Sequence, residues 1–152
     1  MARAIWEKRV GKKHLNHMGT LHGGNLMKWM DEVGGSAAYC HAEHLCVTIQ
    51  VDSFEFLRPV LDGEVLLMEA FVTRSWNTSI EVGIYARVQN HLGGEYHIVA
   101  SAYYVYVALD EYKKPMQSPE FIPSNDEERA RWEEAGLRRQ RRLEEKNRQK
   151  KQ

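Results

Sequence analysis

Between Asn16 and Glu32 the chain reads Asn-His-Met-Gly-Thr-Leu-His-Gly-Gly-Asn-Leu-Met-Lys-Trp-Met-Asp-Glu. Gly23 and Gly24 stand where a helix should begin, and a helix start leaves backbone N–H groups without intrahelical partners. Such amides point at any approaching anion or oxyanion. Eight residues on, Asp31 lies on or beside an apolar stripe, where a carboxylate is costly unless it is paired or used. Donors aimed at a developing oxyanion, together with a desolvated carboxylate, are the parts of an acyl-transfer site. Glu32 points elsewhere around the helix and reads as structural or as support for its neighbour.

Positioning these groups requires a long helix. From Gly23 to about His41, Leu26, Met30, Val33, Ala37 and Cys40 recur at helical spacing, and Met27, Gly34 and Ala38 widen the stripe. Gly34 and Gly35 in mid-helix cost roughly 1 kcal/mol each in propensity, so something must pack very close. Strands surround this helix in sequence. Residues 3–10 form a first strand, and 11–22 a polar loop. Val47, Ile49 and Val51 alternate before Phe54 and Phe56 take the opposite parity, which predicts a bulge at Asp52-Ser53. Val65 to Val72 and Ile98 to Leu109 are apolar on both faces. Ile80 to Gln89 alternates as a strand with one wet face. Arg58-Pro59 and Asp62-Gly63 mark a turn; Trp76–Ser79 and Asn90–Gly94 read as hairpin connections. One helix followed by a run of antiparallel strands is an α+β layout.

The 152 residues suffice for one domain with a real core. Zero formal net charge gives no global reason to expect nucleic acid. No apolar run is long enough to span a bilayer and the start lacks a signal-peptide core, so the expected location is the cytoplasm. Two cysteines make no disulfide framework. Residues 1–123 read as the working domain and 124–152 as a charged C-terminal helix. Ser124 with Glu127 suggests a capping box opening that helix. Its mixed charge, with Glu133, Glu134, Glu144 and Glu145 interrupting the basic run, reads as a solvated, partly frayed helix anchored by Trp132 and not as a nucleic-acid arm.

The Asn16-x-x-Gly19-Thr20-Leu21-x-Gly23-Gly24 loop and the Trp29-Met30-Asp31-Glu32 helix resemble the hotdog-fold acyl-CoA thioesterases of the cytosolic acyl-CoA hydrolase family. The likeness extends to Val51–Phe56 with Pro59 and Gly63, to Thr78–Val82, and to Ser101-Ala102 with Tyr106–Asp110, over roughly residues 5–125. It implies a long central helix wrapped by a five- or six-stranded antiparallel sheet. It also implies a homodimer as the minimal active unit, assembling into a hexamer as a trimer of dimers. The substrate it implies is acyl-CoA, with coenzyme A as part of substrate and product and no separate cofactor, metal, nucleic-acid or membrane partner. In the family pattern a loop asparagine and a helix acid act together from opposite subunits, and the matching positions are Asn16 and Asp31. Spacing is compatible, since the helix rises about 12 Å from Gly23 to Asp31.

The residues leave two roles open for Asp31: general base toward water, or nucleophile forming an anhydride. Asn16 would donate to the thioester carbonyl or orient the water, and the amides of Gly24 and Gly23 would hold the oxyanion. Candidates for CoA are Arg58, Arg74, Arg87 and the Thr78-Ser79 hairpin, the last favoured by the resemblance. Each has an ordinary competitor: Asp31 paired with Lys28, Asn16 closing a turn, the glycines serving packing, the arginines solvated. A non-catalytic acyl-CoA sensor on the same fold is the alternative function, and a base is of no use to it. A hotdog dehydratase fits less well, because the motif lacks a His-based centre. Cys40, His41, His44 and Cys46, like His14 and His17, have tempting intervals but read as core cysteines and surface histidines.

Overall fold

The computed structural model describes residues 2–89 and 94–151. Its elements run β1 (Arg3–Arg9), a 3-10 turn at Lys12–His14, α1 (Gly23–Ala42), β2 (Cys46–Phe56), β3 (Val65–Ser75), β4 (Ser79–Gln89), β5 (Tyr96–Ala108) and α2 (Asp126–Lys150). The strands form one antiparallel sheet in the order β1-β3-β4-β5-β2. Strands β1 and β2, which flank α1 in sequence, therefore sit at opposite edges, and α1 lies across the concave face between them. This is the hotdog arrangement, with five strands. The expected hairpin at Asn90–Gly94 falls, for residues 90–93, outside the described residues.

The core lies between α1 and the sheet. Leu26, Trp29, Met30, Val33, Ala37 and Ala38 are buried against the inward residues of β3 and β4, among them Leu66, Met68, Ile80, Val82 and Ile84. The mid-helix glycine has its explanation here. A Cβ on Gly34 would run into the Tyr106 hydroxyl and Ile84 Cδ1, so glycine lets the sheet approach to the distance at which Tyr106 reaches the helix. The bulge expected in β2 is present: the register with β5 shifts between Asp52 and Glu55, and Ser53 takes a positive φ of 55°.

Three expectations need correction. The outward face of β4 is not wet. Glu81 and Gly83 are buried and Tyr85 is half-buried, because arginines of α2 cover Glu81 and the Phe71 ring lies over Gly83 and beside Tyr85. For the same reason α2 is more than a solvated helix. Its underside carries Arg138 and Arg142 onto Glu81, and Arg74 stacks on Trp132 at 3.4 Å from the ring centroid. Its start is also shifted by one residue. Asn125 is the N-cap, its side chain accepting from the Glu128 amide at 2.8 Å, while the Ser124 amide and hydroxyl donate back to the Glu128 carboxylate. Asn caps at least as well as Ser, and the reciprocal carboxylate follows three residues later in either frame.

Candidate active site

Asp31 projects from the third turn of α1 toward the junction with β2 and β5 and is half-buried. Two hydroxyls meet its carboxylate. Thr48 on β2 donates to Oδ1 at 2.5 Å, and Tyr106 on β5 lies 3.1 Å from the same oxygen and 2.9 Å from the Asp31 main-chain carbonyl. Thr48 and Tyr106 are cross-strand partners, so the strand pairing itself sets both donors side by side. Burial first, and then the Asp31 charge, push the Tyr106 phenol well above its ordinary range, which keeps it a donor. Among the described residues no lysine pairs with Asp31. Oδ2 has no hydrogen-bond partner there either. The carboxylate is thus pinned through one oxygen and presents the other.

Sequence reasoning missed Thr48 and gave Tyr106 no role beyond its place in the Tyr106–Asp110 stretch of the resemblance. A lone threonine in a strand gives no signal by itself. What could have found it is parity: Thr48 shares the inward face with Cys46, next to the helix residues that include Asp31.

The amide of Gly24 is not bare. His22 is the N-cap of α1, and its Nδ1 accepts from the Gly24 N–H at 3.0 Å. An oxyanion can use that amide only by displacing the imidazole, which is exposed. Gly23 sits against the Phe56 ring, which a Cβ would approach to 3.3 Å.

Asn16 closes its own loop. Its Oδ1 accepts from the amides of Met18 and Thr20 at 2.9 and 3.1 Å, and Nδ2 faces Thr20 Oγ1 at 3.0 Å. Within one chain it makes no hydrogen bond to Asp31.

The CoA candidates divide. Thr78 and Ser79 come together in the wall of a cavity of about 590 Å³ beneath α2, where Ser79 Oγ accepts from Arg139 at 3.0 Å. Arg87 is on the same face of β4, but eight residues away, up to about 26 Å along an extended strand. There it lies over Tyr96 and Tyr85 and 4.0 Å from Glu69. Arg58 is exposed, and Arg74 is held by Trp132.

Among the described residues no three His, Cys, Asp or Glu side chains come together as a metal site, and Cys40 is exposed, not the core cysteine expected. Cys46 donates to the His44 carbonyl, His41 contacts the Pro119 carbonyl, and burial pushes the Cys46 thiol up to about 11. Among the described residues no helix is long and apolar enough to cross a membrane.

The thioesterase superfamily model matches residues 18–93, which hold α1, Asp31, Thr48 and Ser79. The chain belongs to the thioesterase superfamily. Among the relatives of this superfamily member, the acyl-CoA thioester hydrolase YkhA of Bacillus subtilis is 30% identical over 84% of this chain and 74% of its own length. The cytosolic acyl coenzyme A thioester hydrolase of Mus musculus is 32% identical over 82% of this chain, which spans 33% of that protein. An acyl-CoA hydrolase from Staphylococcus aureus, solved with butyryl coenzyme A, coenzyme A and coenzyme A disulfide, superposes with a TM-score of 0.91 at 30% identity, covering 99% of this chain and 92% of that one. A hexameric acyl-CoA thioesterase gives 0.89 at 33% identity over 95% and 92%. The S. aureus protein was also solved with single alanine substitutions at an asparagine, an aspartate 15 residues later and a threonine 17 residues after that. Asn16, Asp31 and Thr48 have the same spacing.

Proposed function

We propose that Asp31 does the chemistry of an acyl-CoA thioester hydrolase. The enzyme converts acyl-CoA and water to a carboxylic acid and free CoA. In this reading Asp31 Oδ2 takes a proton from a water attacking the thioester carbonyl. The tetrahedral oxyanion takes the α1 N-terminal amides of Gly23 and Gly24, the latter by displacing the exposed His22 imidazole that caps it, and one such donor is worth about 3–4 kcal/mol in the barrier. The C–S bond then breaks, and the leaving thiolate recovers the proton from Asp31. Oδ1, held by Thr48 and Tyr106, stays out of the exchange. The single observation that carries the reading is this unequal treatment of the two oxygens.

Asn16 belongs to the same site from a second subunit, because within one chain it serves only its own loop. Strand β2 supplies the means. It is an edge strand exposing Val47, Ile49, Val51 and Phe56, and an apolar unpaired edge is a template for pairing with another copy. The dimer formed there is the active unit, and its assembly into a hexamer is supported by the hexameric neighbour.

Thiol release from butyryl-CoA tests the reading. Asp31→Ala and Asn16→Ala should each lose at least about a hundredfold while remaining folded and assembled. Mixing the two inactive variants should restore activity, since a mixed dimer contains one intact site. Near-full activity of Asp31→Ala removes it from the mechanism. Nucleophilic attack by Asp31 is distinguished by single turnover in ¹⁸O-water. General-base catalysis labels the released acid, whereas hydrolysis of an anhydride at the Asp31 carbonyl labels the protein.

A further inference from the structure

At His22 the resting structure and the proposed reaction compete for one hydrogen bond. His22 is the N-cap of α1, and its imidazole Nδ1 accepts from the Gly24 amide at 3.0 Å. The loop that leads to it is closed tightly. Leu15 and Leu21 form a bridge, and the His22 amide donates to the His14 carbonyl at 2.9 Å. Asn25 Nδ2, in the first turn of α1, donates to the same carbonyl at 3.2 Å. This closure brings Asn16 and the capped amide to one end of α1.

The choice of cap is informative. Ser, Thr, Asp and Asn lead among N-caps, and α2 of this chain uses Asn125. A carboxylate cap would set a negative charge at the positive end of the helix, where an oxyanion would then have to form against it. A neutral imidazole satisfies the amide without that charge. It is also removable, because the ring is exposed and rotation of its side chain takes it into water with little loss of packing. Gly24 is what lets the ring lie over the amide: a Cβ there would come within 3.1 Å of His22 Nδ1 and 3.2 Å of Cε1.

We infer that His22 is an autoinhibitory placeholder in the oxyanion hole. In the empty site the imidazole holds the Gly24 N–H. An entering thioester displaces it, and it returns when the acid leaves. The inference rests on the acyl-CoA hydrolase reading and adds to it the group that the substrate must evict. An uncharged hydrogen bond is worth a net factor of about two to ten, whereas an oxyanion donor changes a rate by about a hundredfold to a thousandfold. The ring therefore gives way. Its effect falls on the free enzyme, and so on KM, while kcat starts from a complex in which the ring has already left.

Nuclear magnetic resonance of the histidine rings, in the full-length assembled protein and mildly alkaline buffer, tests the placeholder without turnover. His22 should be fixed as the tautomer that carries its hydrogen on Nε2, with its signal identified by its absence from His22→Asn. His14, whose Nδ1 accepts from the Gly11 amide at 2.9 Å, should show the same tautomer and serves as the control. The probe is the analogue of butyryl-CoA in which a methylene replaces the sulfur, a ketone that cannot be hydrolysed. On saturation with it, His22 should lose its tautomer preference while His14 keeps its own. In kinetics, His22→Ala should lower KM for butyryl-CoA about threefold to tenfold with kcat unchanged, even as its melting temperature falls for want of a cap. His22→Asn, which puts an acceptor back at the N-cap, should return both quantities toward those of the unmodified chain. A cap with a structural role alone would not lower KM while lowering stability. A fall in kcat with KM held in His22→Ala overturns the inference, because the ring would then act in the transition state. So does a His22 signal that stays put while calorimetry shows the analogue bound, and this measurement decides alone should His22→Ala not fold. Full activity of Asp31→Ala, by contrast, would unseat the base and leave the tautomer result standing.

Discussion

The Tyr106 hydroxyl lies 2.9 Å from the main-chain carbonyl of Asp31 and 3.1 Å from its Oδ1. A single buried phenol thus fixes both the backbone and the side chain of the proposed base. The side-chain torsions of Asp31 are restrained without a cation, which would neutralise its charge.

Tyr106→Phe should therefore lower kcat about tenfold with little change in KM, because the substrate is bound as before and the carboxylate is less well aimed. Unfolding in urea should show a loss of about 1 kcal/mol for the missing hydrogen bond. Thr48→Val removes the other donor to Oδ1 and should act in the same direction. Unchanged kcat in both variants would reduce the pair to packing.

Gly34→Ala should destabilise the fold by about 1–3 kcal/mol, the usual range for overpacking. The new methyl would meet the Tyr106 hydroxyl and Ile84. Combining it with Tyr106→Phe removes the closer of these obstacles, so the double variant should be more stable than the sum of the two single losses. The coupling is read from melting temperatures in a double-mutant cycle. Strict additivity would mean that Ile84 alone carries the clash.

How much of this was legible in the sequence depends on where each residue's partner comes from. The α1 stripe, its glycines and the β2 bulge show because helix and strand periods are local, and a parity switch at Asp52-Ser53 can be read without a partner. The cover over β4 does not show. Arg138 and Arg142 look like solvated charge in a basic run, and their partner Glu81 looks like the wet face of an alternating strand. Two polar patterns 57 and 61 residues apart cancel each other only in three dimensions. Asp31 was found from its neighbours in sequence, whereas Thr48 and Tyr106 needed the strand register that joins β2 to β5. Asn16 is legible only through its motif, since one chain gives it nothing but its own turn.

Docking of α2 should weaken in acid. Asp52 is desolvated by burial, which opposes its charge, but Arg142 and then Ser53 and Arg141 outweigh this and hold its carboxyl below the ordinary value. A depressed folded-state value means stability that is present above the unfolded value, near 3.8, and lost as pH falls through the folded one. Fluorescence of Trp76 and Trp132 should report loosening of α2 in that window. Asp52→Asn should already be loosened at neutral pH and lack this portion of the acid response; an acid profile identical to the unmodified chain would relocate the titration elsewhere.

The deeper anchor is Glu81, whose side chain is fully buried. Arg138 reaches its Oε1 at 2.7 Å, Arg142 its Oε2 at 2.8 Å, and Thr73 donates to Oε1 at 2.7 Å. Breaking such a pair costs more than the pair is worth, because the remaining charge is left in a dry site. Arg142→Met takes one of two guanidiniums from Glu81, which keeps Arg138 and Thr73, and should destabilise by about 1.5–3 kcal/mol, the worth of a hydrogen bond to a charged group. Glu81→Gln leaves Arg138 without a carboxylate and Arg142 with Asp52 alone, and should also be destabilising. Replacing Glu81 by Leu together with Arg138 and Arg142 by Met removes all three charges and should recover most of the loss, as measured by urea unfolding. A triple variant as unstable as Arg142→Met alone would show that geometry at this crossing, rather than uncompensated charge, holds the helix to the sheet.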